Sequence, residues 1–258
     1  MNNKIGIIIT TFFRDTLLYK SIESLVRFKS SDYTIIIVDQ NPTQEKERYF
    51  SEFYYYGVPY NSGLSYARNY GVQKAKDLGC NYVVIGSDSF LMNESIKNIK
   101  LLIKNDLLNK DLIGFNLKTG CVCGWEAFLT LIPGKSFHLT FIDKTITTDS
   151  IIEIDNIVFK LWNCDIVRNF FIAKTEMLIA VPYNNDLKLC EHESSFWEWK
   201  KAGYKVAWCD LVSADKMINR PDEYSDLRKE NFRNGQQKLK EIYKIKGWVS
   251  YSNFENAK

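Results

Sequence analysis

The first candidate for chemistry is the carboxylate of Asp88. The apolar run Val83-Val84-Ile85 leads into the short polar corner Gly86-Ser87-Asp88-Ser89. Such a run is typical of a strand buried on both faces, and a parallel strand delivers the side chains that follow it to the carboxyl edge of a sheet. The alternative is that Asp88 only caps the helix that follows, because an aspartate at such a corner can accept backbone N–H bonds.

Two earlier apolar runs predict strands that end close to Asp88. They span Ile5 to Thr10 and Tyr33 to Val38, and apolar residues at helical spacing lie between them. Strand, helix, strand in this order predicts a right-handed parallel crossover. Ligands of open sheets lie beyond the carboxyl ends of the strands. The predicted site therefore gathers Thr10, Thr11, Arg14, Asp39 and Asp88.

A glycine-containing turn at residues 61–65 supplies a third candidate. Gly63 and Ser65 suit a turn into a helix, whose first N–H groups and dipole favour an anion such as a diphosphate. Arg68 follows one turn inside that helix and adds a positive charge. With a short strand predicted near Phe53 to Val58, the first half has the layout of a nucleotide-binding half-domain.

Composition limits the class of partner. The chain has 258 residues, enough for one domain with a sizeable core, and its formal charge of +3 is too small to indicate nucleic acid. No apolar run approaches the roughly 20 residues that span a bilayer, so membrane contact would be peripheral. Six scattered cysteines and two histidines give no zinc spacing, and we expect a reduced, cytoplasmic setting.

Taken in order, the motifs resemble those of the GT-A glycosyltransferases of family 2. The motifs are Thr10-Thr11-Phe12-Phe13-Arg14, Val38-Asp39, Asn61-x-Gly63-Leu64-Ser65-x-Ala67-Arg68-Asn69-x-Gly71 and Gly86-Ser87-Asp88-Ser89. The resemblance implies an α/β fold in a single domain over residues 1–235. Residues 1–100 would form a Rossmann-like nucleotide-binding half with a mostly parallel central sheet, and 101–235 an acceptor half with a mixed sheet. Residues 236–258 would form a helical tail.

The resemblance also implies a UDP-sugar donor. Thr11 and Asp39 would hold its base and ribose, with Arg68 nearby. The full donor-binding set comprises Thr10, Thr11, Arg14, Asp39, Asn61, Gly63, Arg68, Ser87, Asp88 and Lys216. Residues Tyr224, Arg228 and Asn231 share one predicted helix, which would close over the donor.

A divalent metal, Mn²⁺ or Mg²⁺, is expected from the same resemblance. Asp88 corresponds to the last acid of the family's Asp-x-Asp motif, whereas Gly86 stands in the place of its first acid. One carboxylate can still hold a cation through the diphosphate, because Mg²⁺ commonly takes one or two protein carboxylates. Asp215 stands where relatives often place a metal-binding histidine and is the second expected ligand. The alternative is that Lys216 neutralises the diphosphate without metal.

The acceptor side resembles the β-linking N-acetylgalactosaminyltransferase branch of the family, through the string from Asp165 to Thr175. Asn169 and Phe170 would lie beside the donor sugar and the acceptor, with Trp125 and His192 as further contacts. Considered without the resemblance, the pair Phe170-Phe171 predicts core packing.

The catalytic base implied by the family falls at Glu193, with Glu191 as the close competitor. An acceptor hydroxyl has to lose its proton as it attacks the anomeric carbon, and a positioned carboxylate can take that proton. Attack opposite the leaving diphosphate would invert an α-linked donor into a β-linked product. The alternative is that both carboxylates only favour the dipole of a helix N-terminus.

These motifs together predict an inverting glycosyltransferase. It would move a hexose or N-acetylhexosamine from a UDP-sugar to a surface or capsular glycan, free or lipid-linked, in the cytoplasm or at the inner face of the membrane. Two alternatives stay open. One is a catalytically silent module that binds nucleotide sugars. The other is a nucleotidyltransferase or related sugar-nucleotide enzyme, which would need a glycine-rich loop that the first strand does not supply.

Overall fold

Four parallel strands form the first half of the central sheet. The structure is a computed structural model that describes residues 4–28, 30–118, 127–141, 150–218 and 221–253. Strands β1 (Ile5–Thr11) and β2 (Tyr33–Asp39) are buried at every position, as their unbroken β-branched runs predict. With β3 (Tyr54–Gly57) and β4 (Tyr82–Ser87) they lie in the order β3-β2-β1-β4.

Helices cover both faces of this parallel half. Helix α1 (Asp15–Val26) packs on one face through Leu18, Ile22 and Leu25. Helix α3 (Leu64–Asp77) covers the opposite face, where Ala67 and Val72 meet the other apolar cluster. The short helix α2 (Gln44–Tyr49) lies between β2 and β3. All four strands therefore direct their carboxyl ends to one edge, where register places Thr11 beside Asp39 and Thr10 beside Ser87.

The second half continues the sheet with strands of mixed direction. Strand β11 (Phe171–Lys174) pairs antiparallel with both β4 and β6 (Leu112–Lys118), and β12 (Val206–Lys216) runs parallel to β6. Strands β10 (Ile157–Cys164) and β9 (Ser150–Ile154) extend that edge, while β5 (Phe90–Met92) pairs with the end of β12. The predicted α/β class, with a parallel half and a mixed second half, is confirmed.

Short helical segments connect these strands. A 3-10 turn (Glu94–Asn98), α4 (Ile99–Lys104) and α5 (Asp106–Asn109), whose four residues have positive φ, lie between β5 and β6. Helix α6 (Thr175–Ala180) follows β11, and α7 (Glu191–Lys201) precedes β12. Helix α7 carries the two carboxylates proposed as base, so its position decides where proton transfer could occur.

The C-terminal region forms more than a helical tail. Helix α8 (Asp222–Tyr243) runs through position 235, so the predicted boundary of a separate tail falls inside a helix. Strand β13 (Val249–Asn253), which lies within the predicted helical tail, pairs parallel with β8 (Ser136–Phe141). Together with β7 (Ala127–Ile132) they form a second sheet in the order β13-β8-β7. The prediction of a helical tail is wrong because this strand is stabilised by a distant partner, which local pattern does not reveal.

Two general expectations concern cysteines and membranes. The four described cysteines, at positions 80, 164, 190 and 209, are buried and not joined in disulfides, while Cys121 and Cys123 lie outside the described residues. Burial raises the pKa of Cys190 and of Cys209 to about 12. Over the residues that the structure describes, no helix combines the length and apolar character needed to cross a membrane.

Candidate active site

A cleft opens at the carboxyl edge of the parallel strands, where the sequence predicted a ligand. It encloses about 420 Å³, including space open to solvent. The predicted donor residues Thr10, Thr11, Arg14, Asn61 and Gly63 line it. Helix α8 forms the opposite wall and contributes Tyr224, Arg228 and Asn231, as expected of a helix that closes over the donor.

The charge of this cleft is one-sided. Arg14, Lys188 and Arg228 line it, and none of its described lining residues is acidic. Tyr224 brings the two arginines to one place: the Arg14 guanidinium lies 4.8 Å from its ring centroid, and Arg228 Nη1 donates to its hydroxyl at 3.5 Å. The charge of Arg14 is paired with the buried carboxylate of Asp88, whereas those of Lys188 and Arg228 have no carboxylate partner within the cleft lining and suit a polyanion such as a diphosphate.

Aromatic rings gather at the same wall. Phe12 packs against Phe13, Tyr60 and Tyr224, with ring centroids 4.5, 5.4 and 6.4 Å away. Tyr60 is 56% exposed and makes an edge contact with Phe13 as well. Such rings offer faces on which a nucleobase can stack, because every base has a π-face.

The turn that leads into α3 is held against the loop before α7. Gly63 has φ +94°, and a Cβ there would lie 2.5 Å from Lys188 Cα, so only glycine fits. Gly63 N–H donates to Gln40 Oε1 at 2.7 Å, and Leu64 N–H donates to the Lys188 carbonyl at 3.0 Å. These first amides have protein partners. The expectation that they are free to hold a diphosphate is therefore wrong.

Asp88 lies beneath the cleft and is fully buried. Its Oδ1 contacts Arg14 Nη2 at 2.5 Å and accepts from Ser87 Oγ at 3.0 Å. Its Oδ2 accepts from Arg14 Nε at 3.1 Å and from Thr11 Oγ1 at 2.8 Å. Burial raises the pKa of this carboxyl, whereas Arg14 and the two hydroxyls act in the opposite direction. The predicted donor residues Thr11, Arg14, Ser87 and Asp88 thus form one hydrogen-bonded group.

The residues expected to hold a metal do not fit that role. Position 86 carries no acid, and a Cβ there would lie 2.8 Å from Ile9 Cδ1, so a larger residue would require the Ile9 side chain to shift. Asp215 is exposed on β12, where it pairs in register with Leu91, and Lys216, also exposed, pairs with Phe90. Within the described residues, no group of three His, Cys, Asp or Glu side chains could hold a metal ion. The guanidinium of Arg14 already takes the carboxylate of Asp88.

Asp39, expected to contact the ribose, has protein partners on both oxygens. Oδ1 accepts from Asn41 N–H at 2.7 Å. Oδ2 accepts from the Tyr55 hydroxyl at 2.7 Å and pairs with Lys46 Nζ at 2.8 Å. Asp39 is fully buried and lies outside the cleft lining, so its structural role is to tie β2 to β3 and α2.

Arg68 and Glu191 form a buried ion pair. Arg68 Nη1 lies 2.5 Å from Glu191 Oε1, and both side chains are at most 5% exposed. The guanidinium also lies 5.2 Å from the ring centroid of Tyr183. Arg68 is not among the residues that line the cleft, so its expected place beside the donor stays a prediction. Its sequence spacing correctly places it in α3 but does not reveal that it faces α7.

Glu193 differs from Glu191 although it lies in the same helical turn. It is 2% exposed. Burial, and next the charge of Glu191, raise its pKa to about 7, against a lowering by its own backbone N–H. A carboxylate with a pKa near the working pH is well matched to general base catalysis. The pKa of Tyr251 on β13 is raised mainly by burial, and the charge of Glu193 contributes to that rise.

The four predicted acceptor residues differ in their surroundings. The Oδ1 atom of Asn169 is buried and has no hydrogen-bond partner among the described residues, so it could receive a donor from a ligand. His192 packs on Phe196 at 5.1 Å, and burial lowers its pKa to about 4. Phe170 is fully buried against Phe90 and Phe115, which contradicts a sugar contact. Trp125 lies outside the described residues.

Two polar residues of the cleft, Gln40 and Lys188, were not predicted from the sequence. Gln40 follows Asp39 directly and is buried, and Lys188 lies in the loop before α7. Gln40 could have been found from its place at the carboxyl end of β2. Lys188 could not, because a lysine in a polar loop is usually a solvated charge.

A comparison with models of protein families finds a match for the part of the chain that forms the cleft floor. The model described as Glycosyl transferase family 2 matches residues 6–106. This part of the chain is similar to glycosyl transferase family 2, in agreement with the predicted family. The match contains β1 to β4, the Gly63 turn and Asp88, the motifs on which the prediction of a glycosyltransferase rests. A search of curated protein sequences finds no match.

Solved glycosyltransferase structures share the fold. TarS residues 1–349 from S. aureus is 13% identical with a TM-score of 0.55, covering 90% of this chain and 65% of that one. GalNAc-T7 with UDP, GalNAc and Mn²⁺ is 12% identical with a TM-score of 0.64, covering 86% and 45%. The mannosyltransferase PcManGT from Pyrobaculum calidifontis, with GDP-Man and Mn²⁺, is 12% identical with a TM-score of 0.56, covering 92% and 64%. The chain thus spans less than two thirds of each of these structures. Their likeness confirms the predicted GT-A fold.

Proposed function

We propose that the protein transfers a sugar from a nucleotide sugar to a hydroxyl of a glycan acceptor and forms a β-linkage with inversion. The observation that carries this proposal is the cationic cleft at the carboxyl edge of the family 2 region. It combines three positive charges with a cluster of aromatic rings. This is the pairing that a nucleoside diphosphate requires.

The donor we propose is UDP-linked, with an N-acetylhexosamine favoured over galactose or glucose. Its base would stack beside Phe12 and Tyr60, and its diphosphate would lie between Arg14 and Arg228. Support comes from Arg228, whose guanidinium can bind phosphate through paired N–H donors, while Arg14 is oriented at the same place by Asp88. TarS has been solved in complex with UDP, and it shares the fold at 13% identity.

Glu193 is the proposed base. The acceptor hydroxyl would give its proton to the Glu193 carboxylate while its oxygen bonds to the anomeric carbon. The bond from that carbon to the β-phosphate oxygen would break, and its electron pair would leave with the nucleoside diphosphate. A base of this kind contributes about 10²- to 10⁴-fold to the rate. Glu191 is the weaker candidate, because Arg68 neutralises it in a buried pair.

The acceptor would enter beside Glu193 and the small sheet. Tyr251 is 52% exposed and stacks in parallel on Phe141, with centroids 5.8 Å apart. One helical turn after Glu193, Trp197 packs against Phe137, which points to the same face of β8 as Phe141. An exposed aromatic face is a natural platform for a sugar ring. We propose a surface or capsular glycan, free or lipid-linked, with Asn169 and His192 as further contacts.

The experiment is a transfer and hydrolysis assay on the whole chain with a panel of nucleotide sugars. The panel contains UDP-GlcNAc, UDP-GalNAc, UDP-galactose, UDP-glucose and GDP-mannose, and calorimetry measures the affinity of each. We expect one UDP-sugar to bind best and to be consumed. E193Q should keep that affinity and lose turnover.

Other results would change the assignment. If GDP-mannose bound best, the donor would be a GDP-sugar and not a UDP-sugar. Tight UDP binding without turnover of any donor would favour a silent binding module, which the absence of an acid at Gly86 also favours. No binding of any nucleotide would refute the proposal.

A further inference from the structure

We propose that the cleft stabilises the leaving nucleoside diphosphate with Arg14, Lys188 and Arg228 and without a divalent metal. This inference rests on the proposed function, because it concerns the leaving group of the same reaction. It departs from GalNAc-T7 and PcManGT, whose structures contain Mn²⁺.

The contacts of the Asp88 carboxylate argue against its acting as a metal ligand. Both of its oxygens are engaged, by a two-point contact with Arg14 and by the hydroxyls of Thr11 and Ser87. The carboxylate is fully buried, so a cation could reach it only if Arg14 moved away. Mg²⁺ demands near-ideal octahedral geometry with oxygen ligands at about 2.0–2.1 Å. A carboxylate held inside a guanidinium fork does not offer that geometry.

Neither of the two positions expected to supply a further acid, 86 and 215, fits that role. Gly86 carries no side chain, and a Cβ there would lie 2.8 Å from the terminal methyl of Ile9, its partner in register across β1 and β4. Asp215 on β12 is exposed and lies beside Lys216, whose positive charge disfavours a cation at that strand end. The described acids near the cleft thus leave a divalent ion with one inaccessible carboxylate.

The cations of the cleft are held where a diphosphate could use them. Arg14 is fixed from below by Asp88 and from the side by the Tyr224 ring. Arg228 is held at the Tyr224 hydroxyl. Lys188 also lines the cleft; its backbone is fixed by Leu64 N–H, and the residue is exposed. Asp88 therefore orients an arginine in this cleft instead of coordinating an ion.

This arrangement supplies what the reaction needs of a metal. When the bond between the anomeric carbon and the β-phosphate oxygen breaks, the diphosphate gains the bonding electron pair and one negative charge. Guanidinium and ammonium groups already in place stabilise that charge without reorganisation. The proton released by the acceptor goes to Glu193, so charge and atoms balance without a metal ion.

The test measures UDP binding to the unmodified protein by calorimetry, once in EDTA and once in excess MnCl₂. We expect the same affinity in both buffers, and the same rate of donor turnover. A separate titration with MnCl₂ alone should show no site. K188M and R228M should each weaken UDP about 10- to 100-fold, as for the loss of a charged hydrogen bond. Added salt should weaken wild-type binding as well.

Lys229 provides the matched control. It follows Arg228 on α8 but is exposed and pairs with Asp226 at 3.0 Å. K229M removes the same charge and should leave UDP affinity unchanged. Unfolding measurements on K188M and R228M verify that both fold.

Each contrary outcome is distinct. UDP binding that appears only with Mn²⁺, or an Mn²⁺ site in the protein alone, overturns the metal-free proposal and leaves the proposed function standing. K188M and R228M affinities equal to that of K229M also overturn it. Failure of UDP and of every nucleotide sugar to bind in either buffer refutes the proposed function and this inference together.

Discussion

Replacing Glu193 with glutamine should raise the free energy of unfolding at high pH and lower the rate of catalysis. The carboxyl is buried, and its pKa is raised from 4.5 to about 7. Each pH unit between these values corresponds to 1.36 kcal/mol. Ionised Glu193 therefore costs the folded protein about 3 kcal/mol, a cost that the neutral amide of E193Q does not carry.

The sign follows from proton binding. Between about pH 4.5 and 7 the folded protein keeps the Glu193 proton, while the unfolded chain releases it. This group therefore lowers the free energy of unfolding as pH rises through that window, and the loss is complete above about pH 7. The free energy of unfolding of E193Q, relative to that of wild type, should increase by about 3 kcal/mol between about pH 4 and pH 8. For a chain of this size that equals roughly 6–12 °C in Tm.

Urea unfolding at a series of pH values measures this difference, and the transfer assay measures turnover. We expect kcat of E193Q to fall about 10²- to 10⁴-fold while donor affinity stays constant. Wild-type kcat/KM should rise with pH towards a plateau above about 7, because the base acts in its ionised form. E230Q makes the same chemical change on the exposed surface of α8 and serves as control. A stability difference that does not grow with pH, or full activity of E193Q, would refute this reasoning.

Three further variants test the surroundings of the site. G63A should lose about 2–5 kcal/mol of unfolding free energy in urea and most nucleotide affinity, because its φ is positive and Lys188 blocks a Cβ; a wild-type Tm would contradict the packing described. R68M should lose about 3–5 kcal/mol by leaving Glu191 buried without its cation, and adding E191Q should restore part of that loss in the same assay; equal stability of the single and double variants would argue against the pair. Y251A should raise acceptor KM roughly 2- to 12-fold without changing donor affinity by calorimetry, and an unchanged acceptor KM would exclude the Tyr251 platform.

The parallel half of the fold was predictable because its strands are buried on both faces. Unbroken apolar runs such as that of β1 are a local signal, and the polar residues after them necessarily meet at one sheet edge. The position of Thr11, Arg14 and Asp88 was therefore predicted from the sequence. Strand β13 was not, because the sequence Val-Ser-Tyr-Ser-Asn becomes a strand only by pairing with β8, more than 100 residues earlier.

Side-chain partners were less predictable than backbone position. Arg68 was correctly placed on α3, but its partner lies 123 residues later, and no spacing rule joins the two. For Phe170, the expectation that adjacent phenylalanines lie in the core is correct. The family resemblance instead predicted a contact with the sugar, which the burial of Phe170 contradicts. Motifs shared with a family thus specify strand ends well and the contacts of individual side chains poorly.

The two carboxylates at the start of α7 show how the fold makes a choice that the sequence leaves open. Positions 191 and 193 are two residues apart, which on a helix turns their side chains about 200° from each other. Glu191 therefore meets α3 and its Arg68, while Glu193 faces the side of Trp197 and the small sheet. The arginine stabilises the charge of the first, and burial beside that charge raises the pKa of the second to about 7. The ion pair with Arg68 thus makes Glu191 unsuitable as a base, and the charge of Glu191 helps to make Glu193 suitable. Two acids in different environments can take different roles in proton transfer.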